Sequence, residues 1–440
     1  MSTTLSTLMT RLNQKIGDYI SETVTTALTT DTNVVCTTLA NYVNRDDVFN
    51  RDWIRILDYA NAGEIRKISD YATSTTTATV LGANWTSDTT NKATFEITKY
   101  NPNNAIRAIN IAARKIWPNL FRTIRDVTLT TGNILPNPSF EDWTSSSYPD
   151  YWTTLSNATS SESTTAGTTR GSGSSCKVTA SSDNGYIELN SDTYPKLLDL
   201  MGQTVSLYAW CLPQTADDGT ITIYTKQADA TAQTLTSTTS NPAGEFTLLT
   251  LEDQVLNDDL VEVRIRLSVA TSGQYAYFDN VRLTGLNNVE YVLPLDFQNQ
   301  ISMVDRVSIS YTNLQTYAQD DLLSTDIFEP VFYWRVEDDG ETRYLLTDTY
   351  NQDFILKIEG RAPLESNLTT SSSTMTIEDP FIDLLTELAA SELFSIEAGL
   401  PSAGDRDFLR SESYRYLSNY EYMKKTLKKK KPQTMQRFRF

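Results

Sequence analysis

The spacing of hydrophobic residues alternates between helical and strand-like periods along the chain. Residues 1–20 predict a short amphipathic helix, because apolar side chains recur on one face. These side chains are Leu5, Leu8, Leu12 and Ile16. Residues 103–120 predict a second helix, which Pro118 should end near Trp117. Its apolar stripe consists of Ile106, Ile109, Ala113, Ile116 and Leu120.

Strand patterns fill the segments on either side of this second helix. Short β-branched and aromatic runs over residues 33–85 predict a small barrel or sandwich. Residues 133–285 alternate apolar and polar positions throughout, as half-buried antiparallel strands do. Further strand patterns follow up to residue 360. Four aromatic residues of the central segment are expected in its core, namely Trp152, Tyr208, Trp210 and Phe278.

The C-terminal part returns to a helical pattern. The run "MTIEDPFIDLLTELAASELFSIEAG" predicts a helix with Thr376 as its N-cap. A more exposed, charge-rich helix follows it. Residues 424–440 have no periodicity, and we expect them to be extended.

The order of these patterns predicts that one domain is inserted into another. The fold class expected is α+β and multidomain, with a helical core, β-strand subdomains and an inserted antiparallel β-sandwich. The domains expected are 1–100 (first helix and small β-barrel or sandwich), 101–132 with 286–423 (helical core and hairpins), 133–285 (inserted sandwich) and 424–440 (basic tail).

The amino-acid composition excludes several kinds of catalytic site and metal site. Histidine is absent, which excludes Ser-His-Asp, Cys-His and His-ligated metal sites and leaves carboxylate-only mechanisms open. The three cysteines, Cys36, Cys176 and Cys211, are too few and too scattered for a disulfide framework or a zinc site. No apolar run reaches membrane-spanning length and no secretion signal is evident, so we expect no membrane partner.

Charge is distributed unevenly. The net charge is −18, yet residues 424–440 hold eight of the 37 basic residues and no acidic one. The rest of the chain therefore has 29 basic residues against 55 acidic ones. An acidic body repels nucleic acid, so the basic tail is a separate feature.

The two ends of the inserted segment carry a family resemblance. "NILPNPSFEDW" opens it at residue 133 and "YAYFDNVRLTG" closes it at residue 285. With these ends it resembles carbohydrate-binding modules that have a galactose-binding-type jelly roll. The resemblance implies that the first and last strands lie side by side and hold a structural Ca²⁺. The matching oxygen ligands here would come from Glu141 and Asp279.

A sugar site in such a module needs exposed aromatic rings beside polar groups. The candidate residues are Trp143, Tyr148, Tyr151, Tyr186, Tyr224 and Tyr275. Whether the sandwich binds glycan or serves as a structural decoration stays open at this point.

The flanking segments resemble head-to-tail adaptor (connector) proteins from the neck of tailed bacteriophages. The resemblance rests on "NNAIRAINIAARKIWPNLF", "FILKIEGRAPL" and "IEDPFIDLLTELAASELF". It implies a non-enzymatic virion protein, made in the host cytoplasm, whose helical core forms a closed ring of about twelve copies. Its partners would be the portal protein and tail or neck proteins. Double-stranded DNA would pass through the acidic ring without sequence recognition.

The basic tail has three interpretations: a solvated end, a nucleic-acid contact, or a strap that docks on a neighbouring subunit. The strap would use lysines against acidic surface and apolar anchors between them. The residues concerned are Lys428, Lys429, Lys430, Lys431, Met435, Arg437, Phe438, Arg439 and Phe440.

Two other functions compete with the adaptor. One is a glycan-binding adhesion protein of a phage tail or surface, which would use the inserted sandwich. The other is a glycosidase with two carboxylates placed across a cleft. A ring-shaped particle would favour the adaptor, whereas a monomer with sugar affinity would favour the adhesion protein.

Overall fold

The computed structural model divides the chain into two compact units, Met1–Arg122 with Pro363–Phe440 and Thr123–Ala362. The residues that it describes are 2–42, 45–170, 173–285, 288–313, 328–348, 354–379, 381–400 and 404–427. The tail residues from Lys428 to Phe440 lie outside this set, so their docking role stays a prediction.

The helices of the described residues are α1 (Leu5–Ile16), α2 (Pro102–Lys115), α3 (Leu295–Gln298), α4 (Phe381–Gly399) and α5 (Arg406–Leu427). The strands of the first unit are β1 (Ser2–Thr4), β2 (Ile20–Thr23), β3 (Asn33–Val35), β4 (Trp53–Ile56), β5 (Ile65–Ala72), β6 (Thr77–Val80), β7 (Thr94–Thr98) and β25 (Thr374–Thr376). No helix of the described residues is long and apolar enough to cross a membrane.

Local sequence explains where the first helices begin and end. The Thr4 hydroxyl accepts the backbone N–H of Thr7 and caps α1, and Gly17 ends it with φ of 73°. Asn101 caps α2, and Pro102 occupies its first turn. The apolar faces of α1, α2, α4 and α5 share one core. Buried members of that core are Leu5, Leu8, Leu12, Ala105, Ile109, Leu385, Leu388 and Leu393.

The helix predicted from Thr376 begins later than expected. Thr376 lies in β25, which pairs with β1 in an antiparallel two-stranded sheet. The first described residue of α4 is Phe381. Pairing with β1 satisfies the backbone groups of Thr374–Thr376 as a strand, so the N-cap prediction for Thr376 is wrong.

A six-stranded sheet, in the order β2-β7-β4-β5-β6-β3, forms the other part of the first unit. It has its own core, which includes Val34, Ile54, Ile56, Phe95 and Ile97. Arg55 of β4 lies directly opposite Glu96 of β7, and their charged groups are 2.6 Å apart with side chains 3% and 0% exposed. The Arg55 guanidinium also donates to the backbone carbonyl of Ser6 in α1, 3.4 Å away.

The prediction of a helical adaptor core with subordinate strands is wrong. Strands account for 38% of the structure and helices for 21%, and most of the sheets are antiparallel. The physical reason lies in the flanking segments themselves. Their apolar residues repeat with period 2 over long stretches, and the strands that they form have two hydrophobic cores of their own. The helices α1, α2, α4 and α5 share a single core.

The strands of the second unit belong to four sheets. They are β8 (Arg122–Thr130), β9 (Thr154–Ser156), β10 (Ala158–Ser163), β11 (Ser175–Ala180), β12 (Gly185–Asn190), β13 (Thr204–Pro213), β14 (Gly219–Gln227), β15 (Ala232–Thr236), β16 (Thr247–Val255), β17 (Leu260–Val269), β18 (Tyr275–Thr284), β19 (Glu290–Val292), β20 (Met303–Asn313), β21 (Phe328–Pro330), β22 (Trp334–Asp338), β23 (Arg343–Thr347) and β24 (Phe354–Ala362). One sheet has the order β21-β20-β24-β8 and another the order β19-β23-β22.

The inserted segment folds as the predicted antiparallel sandwich. One five-stranded sheet has the order β10-β11-β18-β13-β16 and is called the β18 sheet below. The other has the order β15-β14-β17-β12-β9 and is called the β17 sheet. Apolar side chains from both sheets form a single core that contains Trp152 and Phe278, both 0% exposed as expected. Tyr208 and Trp210 are half-buried and alternate with the core residues of β13, so their placement in the core is wrong.

Asn133 joins the two ends of the sandwich. Its side-chain amide donates to the carbonyl of Val281 at 3.1 Å, and its side-chain oxygen accepts the N–H of Leu283 at 3.0 Å. The N–H of Ile134 also donates to the carbonyl of Leu283. The segment that enters the sandwich therefore lies beside the strand that leaves it.

Candidate functional site

The β17 sheet has one face in the core and one face covered by polar and aromatic side chains. In β17, the core residues Val263, Ile265, Leu267 and Val269 alternate with Glu262, Arg264, Arg266 and Ser268. Directly paired residues of neighbouring strands share a face. Glu188 of β12 is opposite Arg266, and Tyr224 of β14 is opposite Arg264. These side chains therefore lie together on the outer face.

Arg266 lies between two tyrosine rings on this face. Its guanidinium carbon is 4.6 Å from the ring centroid of Tyr186 and 4.7 Å from that of Tyr224. Arg264 is 5.6 Å from the Tyr224 ring. Both distances for Arg266 are within the range of a cation–π contact. We call Tyr186, Glu188, Tyr224, Arg264 and Arg266 the arginine–tyrosine face.

Glu188 fixes both arginines. One carboxylate oxygen accepts the Nη1–H of Arg264 at 3.1 Å, and the other accepts the Nε–H of Arg266 at 2.8 Å. The Glu188 side chain is 0% exposed, so its negative charge is compensated within the site. Glu262 pairs with Arg264 as well. The two glutamates compensate the charge of the two arginines, and Lys226 of β14 lies directly opposite Glu262 on the same face.

The structure separates the six predicted glycan residues into several groups. Tyr186 and Tyr224 lie on the arginine–tyrosine face. Trp143 and Tyr148 pack against the sandwich core, and the indole N–H of Trp143 donates to the carbonyl of Phe140. Tyr275 lies on the β18 sheet, where its ring is 5.4 Å from that of Tyr277.

Tyr151 lies in an acidic cleft of about 590 Å³ within the second unit. Its ring is 6.2 Å from that of Tyr194, and burial raises the pKa of its hydroxyl to about 12. The hydroxyl of Tyr344, also in the cleft, donates to Asp339. The carboxylates that line the cleft are Asp199, Glu290, Glu337, Asp338 and Asp339.

A second acidic cleft, of about 420 Å³, contains two carboxyls with raised pKa values. Burial, opposed by hydrogen bonds from Thr128, raises the pKa of Asp126 to about 6. Burial and then the charge of Asp126 raise the pKa of Asp142 to about 7. Asp142 nevertheless accepts the backbone N–H of Leu295 at 3.0 Å, at the start of α3.

The two carboxylates predicted to hold calcium accept backbone N–H groups. Glu141 accepts the N–H of Ser174 at 2.9 Å. Asp279 is fully buried and accepts the N–H of Arg170 at 2.6 Å and that of Asn280 at 2.7 Å. Among the described residues, no group of three or more carboxylate or cysteine side chains is arranged to hold a metal ion. Calcium at Glu141 and Asp279 stays a prediction, which melting curves with and without EDTA would test.

Sequence reasoning missed Glu188, Arg264 and Arg266. The alternation in "LVEVRIRLSV" already places Arg264 and Arg266 opposite to the apolar positions of β17. It does not show which residues of β12 and β14 lie beside them. That information is the strand register, which a single sequence does not contain.

Comparison with solved structures finds similar arrangements in sugar-binding domains. The CBM22-1 xylan-binding domain of Paenibacillus barcinonensis Xyn10C is 11% identical, with a TM-score of 0.28, over 36% of this chain and 94% of that domain. TmCBM61, solved with β-1,4-galactotriose, is 9% identical, with a TM-score of 0.26, over 35% of this chain and 99% of that one.

A bacteriophage protein is among the similar structures too. The enzymatically active domain of bacteriophage CBA120 tailspike protein 4 is 15% identical, with a TM-score of 0.25, over 35% of this chain and 22% of that one. No family model and no curated protein matches the chain.

Proposed function

We propose that the chain is a glycan-binding protein whose sandwich holds a neutral polysaccharide on the arginine–tyrosine face. The observation that carries this proposal is Arg266 held between the rings of Tyr186 and Tyr224. A sugar chain requires aromatic rings beside fixed polar groups, and this face of the β17 sheet has both. The alternative adhesion function of the sequence analysis is thus favoured over the adaptor.

The chemistry of the face suits sugar hydroxyls. Tyr186 and Tyr224 are half-buried, so part of each ring is available to the C–H face of a sugar. Arginine N–H groups donate to hydroxyl oxygens, and charge-assisted hydrogen bonds are roughly twice as strong as neutral ones. Because Glu188 already orients Arg264 and Arg266, little side-chain entropy is lost when the ligand binds.

Charge balance favours a neutral ligand. Glu188 and Glu262 compensate Arg264 and Arg266 on the face itself. Because both arginines are already ion-paired, an anionic sugar would have to displace a glutamate, and a cationic sugar would have to compete with the arginines for one. A polymer that offers only hydroxyls meets neither penalty.

Affinity electrophoresis of the full chain in gels that contain xylan, β-glucan or galactan tests the proposal. We expect at least one neutral polysaccharide to retard the protein. Tyr224→Ala and Arg266→Ala should each weaken that binding about tenfold or more, as central aromatic and arginine contacts do. Tyr333→Ala, at an exposed tyrosine outside the sandwich, is the matched control and should bind normally. Retardation that survives both face variants would contradict the proposal.

We propose binding without catalysis. The raised pKa values of Asp126 and Asp142 make these carboxyls the ones to examine for glycosidase activity. Release of reducing ends from the bound polysaccharide, abolished by Asp142→Asn, would overturn this part of the proposal. A polysaccharide that is bound and left intact would support it.

A second proposal concerns the first unit and retains the virion assembly role. The observation that favours it is the exposed apolar surface of α5, where Phe408, Tyr414 and Tyr422 are 54%, 72% and 73% exposed. Exposed apolar patches of this kind mark protein contacts. Light scattering after gel filtration should show an oligomer that Tyr414→Ser with Tyr422→Ser dissociates. A wild-type chain that stays monomeric at all concentrations would contradict it.

A further inference from the structure

The β18 sheet carries a second aromatic surface on its outer side. Lys177 of β11 is directly opposite Tyr277 of β18, and Tyr277 is opposite Leu212 of β13. Tyr275 and Trp210 are two residues away from Tyr277 and Leu212 on their strands. Because the side chains of i and i+2 share a face, all of these residues lie on one surface.

Two cations lie against the aromatic rings of this surface. The ammonium nitrogen of Lys177 is 4.0 Å from the ring centroid of Tyr275 and 5.8 Å from that of Tyr277. The guanidinium carbon of Arg170 is 4.4 Å from the Trp210 ring. We call Arg170, Lys177, Trp210, Tyr275 and Tyr277 the lysine–tryptophan face.

The accessible charge of this face is positive. Among the residues that the structure describes, neither Lys177 nor Arg170 has a carboxylate within ion-pair distance. Asp279, which is opposite Trp210 in the sheet, is 0% exposed and accepts two backbone N–H groups. The lysine–tryptophan face therefore differs from the arginine–tyrosine face, where each arginine pairs with a glutamate.

We propose that the lysine–tryptophan face binds an acidic polysaccharide, a polymer whose sugar rings carry carboxylate groups. The half-buried rings of Trp210, Tyr275 and Tyr277 pack against the C–H faces of the sugars. Lys177 and Arg170 pair with the carboxylates. The site and its ligand class are independent of the neutral-glycan proposal, because the two faces belong to different sheets.

Charge density favours a polysaccharide over a nucleic acid. Double-stranded DNA carries one charge per ~1.7 Å of its axis, and a protein binds it by neutralising many phosphates. The face offers two cations on a chain of net charge −18. A uronic acid polymer carries one charge per sugar, so two cations neutralise its contacting segment without strong repulsion from the rest of the chain.

Binding of the full chain to polygalacturonate and to its fully methyl-esterified form separates charge from sugar shape. We expect polygalacturonate to bind at least tenfold more tightly than the ester, and the affinity to fall as NaCl is raised. Lys177→Gln and Arg170→Gln should each weaken binding about tenfold, whereas Lys177→Arg should restore it. Lys92→Gln, at an exposed lysine of the first unit, is the matched control for loss of one positive charge and should bind polygalacturonate normally.

Several results would overturn this assignment. They are equal binding of the ester, unchanged binding by Lys177→Gln and Arg170→Gln when both variants melt like the wild type, and an equal loss of binding in Lys92→Gln. Displacement of polygalacturonate by a short single-stranded oligonucleotide at lower concentration would make the face a nucleic-acid site instead.

Discussion

Glu188 illustrates how one residue can prepare a binding face. A fully buried carboxylate would be costly without partners, but here two arginines satisfy it. The same contacts hold Arg264 and Arg266 in place for a ligand. The fixed position of Arg266 between two rings is therefore a consequence of the ion pairs beneath it.

The role of a single residue can be predicted from the sequence where it follows from the residue type and its position along one strand. Tyr186 and Tyr224 could be named as candidate sugar contacts because aromatic side chains on strands suit that role. The expected core position of Tyr208 and Trp210 is wrong, because these residues alternate with the buried Leu207, Ala209 and Cys211. Counting positions along β13 was enough to place them on the outer face. Glu188 could not be identified in this way, because its role depends on Arg264 and Arg266 of the neighbouring strand β17.

Asp142 provides a pH-dependent prediction at the residue scale. Burial and the charge of Asp126 raise its folded-state pKa to about 7, whereas an unfolded aspartate has a pKa of about 3.9. The stability that Asp142 contributes is therefore complete below about pH 4 and is lost as the pH rises through about 7. Asp142→Asn removes the charge and keeps an acceptor for Leu295. We expect the variant to be more stable than wild type at pH 8, on the order of 1–3 kcal/mol.

Urea unfolding at pH 5 and pH 8 measures this difference in the free energy of unfolding. Asp192→Asn, at an exposed position of the same sandwich, is the control and should leave both values unchanged. Equal pH dependence in wild type and Asp142→Asn would show that Asp142 does not titrate near neutral pH.

Elements were predicted best where periodicity is strong and contacts are local. α1, α2 and α4 occur where apolar residues repeat every three or four positions, and the sandwich strands occur where they alternate. The prediction that helices form the main core of the flanking segments is wrong, because the strands of these segments have hydrophobic cores of their own. Pairings such as β1 with β25 join residues at least 370 positions apart, and no local pattern reveals them.

The Arg55–Glu96 pair links the six-stranded sheet to α1 and gives a prediction at this scale. Removing one partner leaves the other charge buried, so Arg55→Met or Glu96→Leu should each cost about 3–5 kcal/mol of unfolding free energy. The double variant Arg55→Met/Glu96→Leu leaves no unpaired charge and should be more stable than either single variant. Urea unfolding of the three variants measures the coupling.

The exposed pair Arg361–Asp305 is the control for this cycle. Its groups are 2.6 Å apart, but the side chains are 35% and 39% exposed. Breaking it should cost no more than about 1 kcal/mol, because water solvates both charges. If the Arg55 and Glu96 effects simply add in the double variant, the buried pair does not act as a unit.

At the scale of the whole molecule, two faces of one sandwich carry different charge. The arginine–tyrosine face balances its cations with glutamates, and the lysine–tryptophan face exposes cations on an acidic chain. The proposals assign neutral and acidic polysaccharides to these two faces respectively. The sandwich and its ends were predictable from the sequence, whereas the division of charge between its faces required the structure.

Hydroxyl-radical footprinting of the full chain, with and without a saturating neutral oligosaccharide, tests the central claim most directly. The method reports the solvent exposure of individual tyrosine and tryptophan side chains, and each candidate surface contains at least one such side chain. We predict that the ligand lowers the oxidation of Tyr186 and Tyr224 and leaves Tyr151, Tyr344 and Tyr275 unchanged. Protection of Tyr151 and Tyr344 in the acidic cleft, with Tyr186 and Tyr224 oxidised as before, would contradict it.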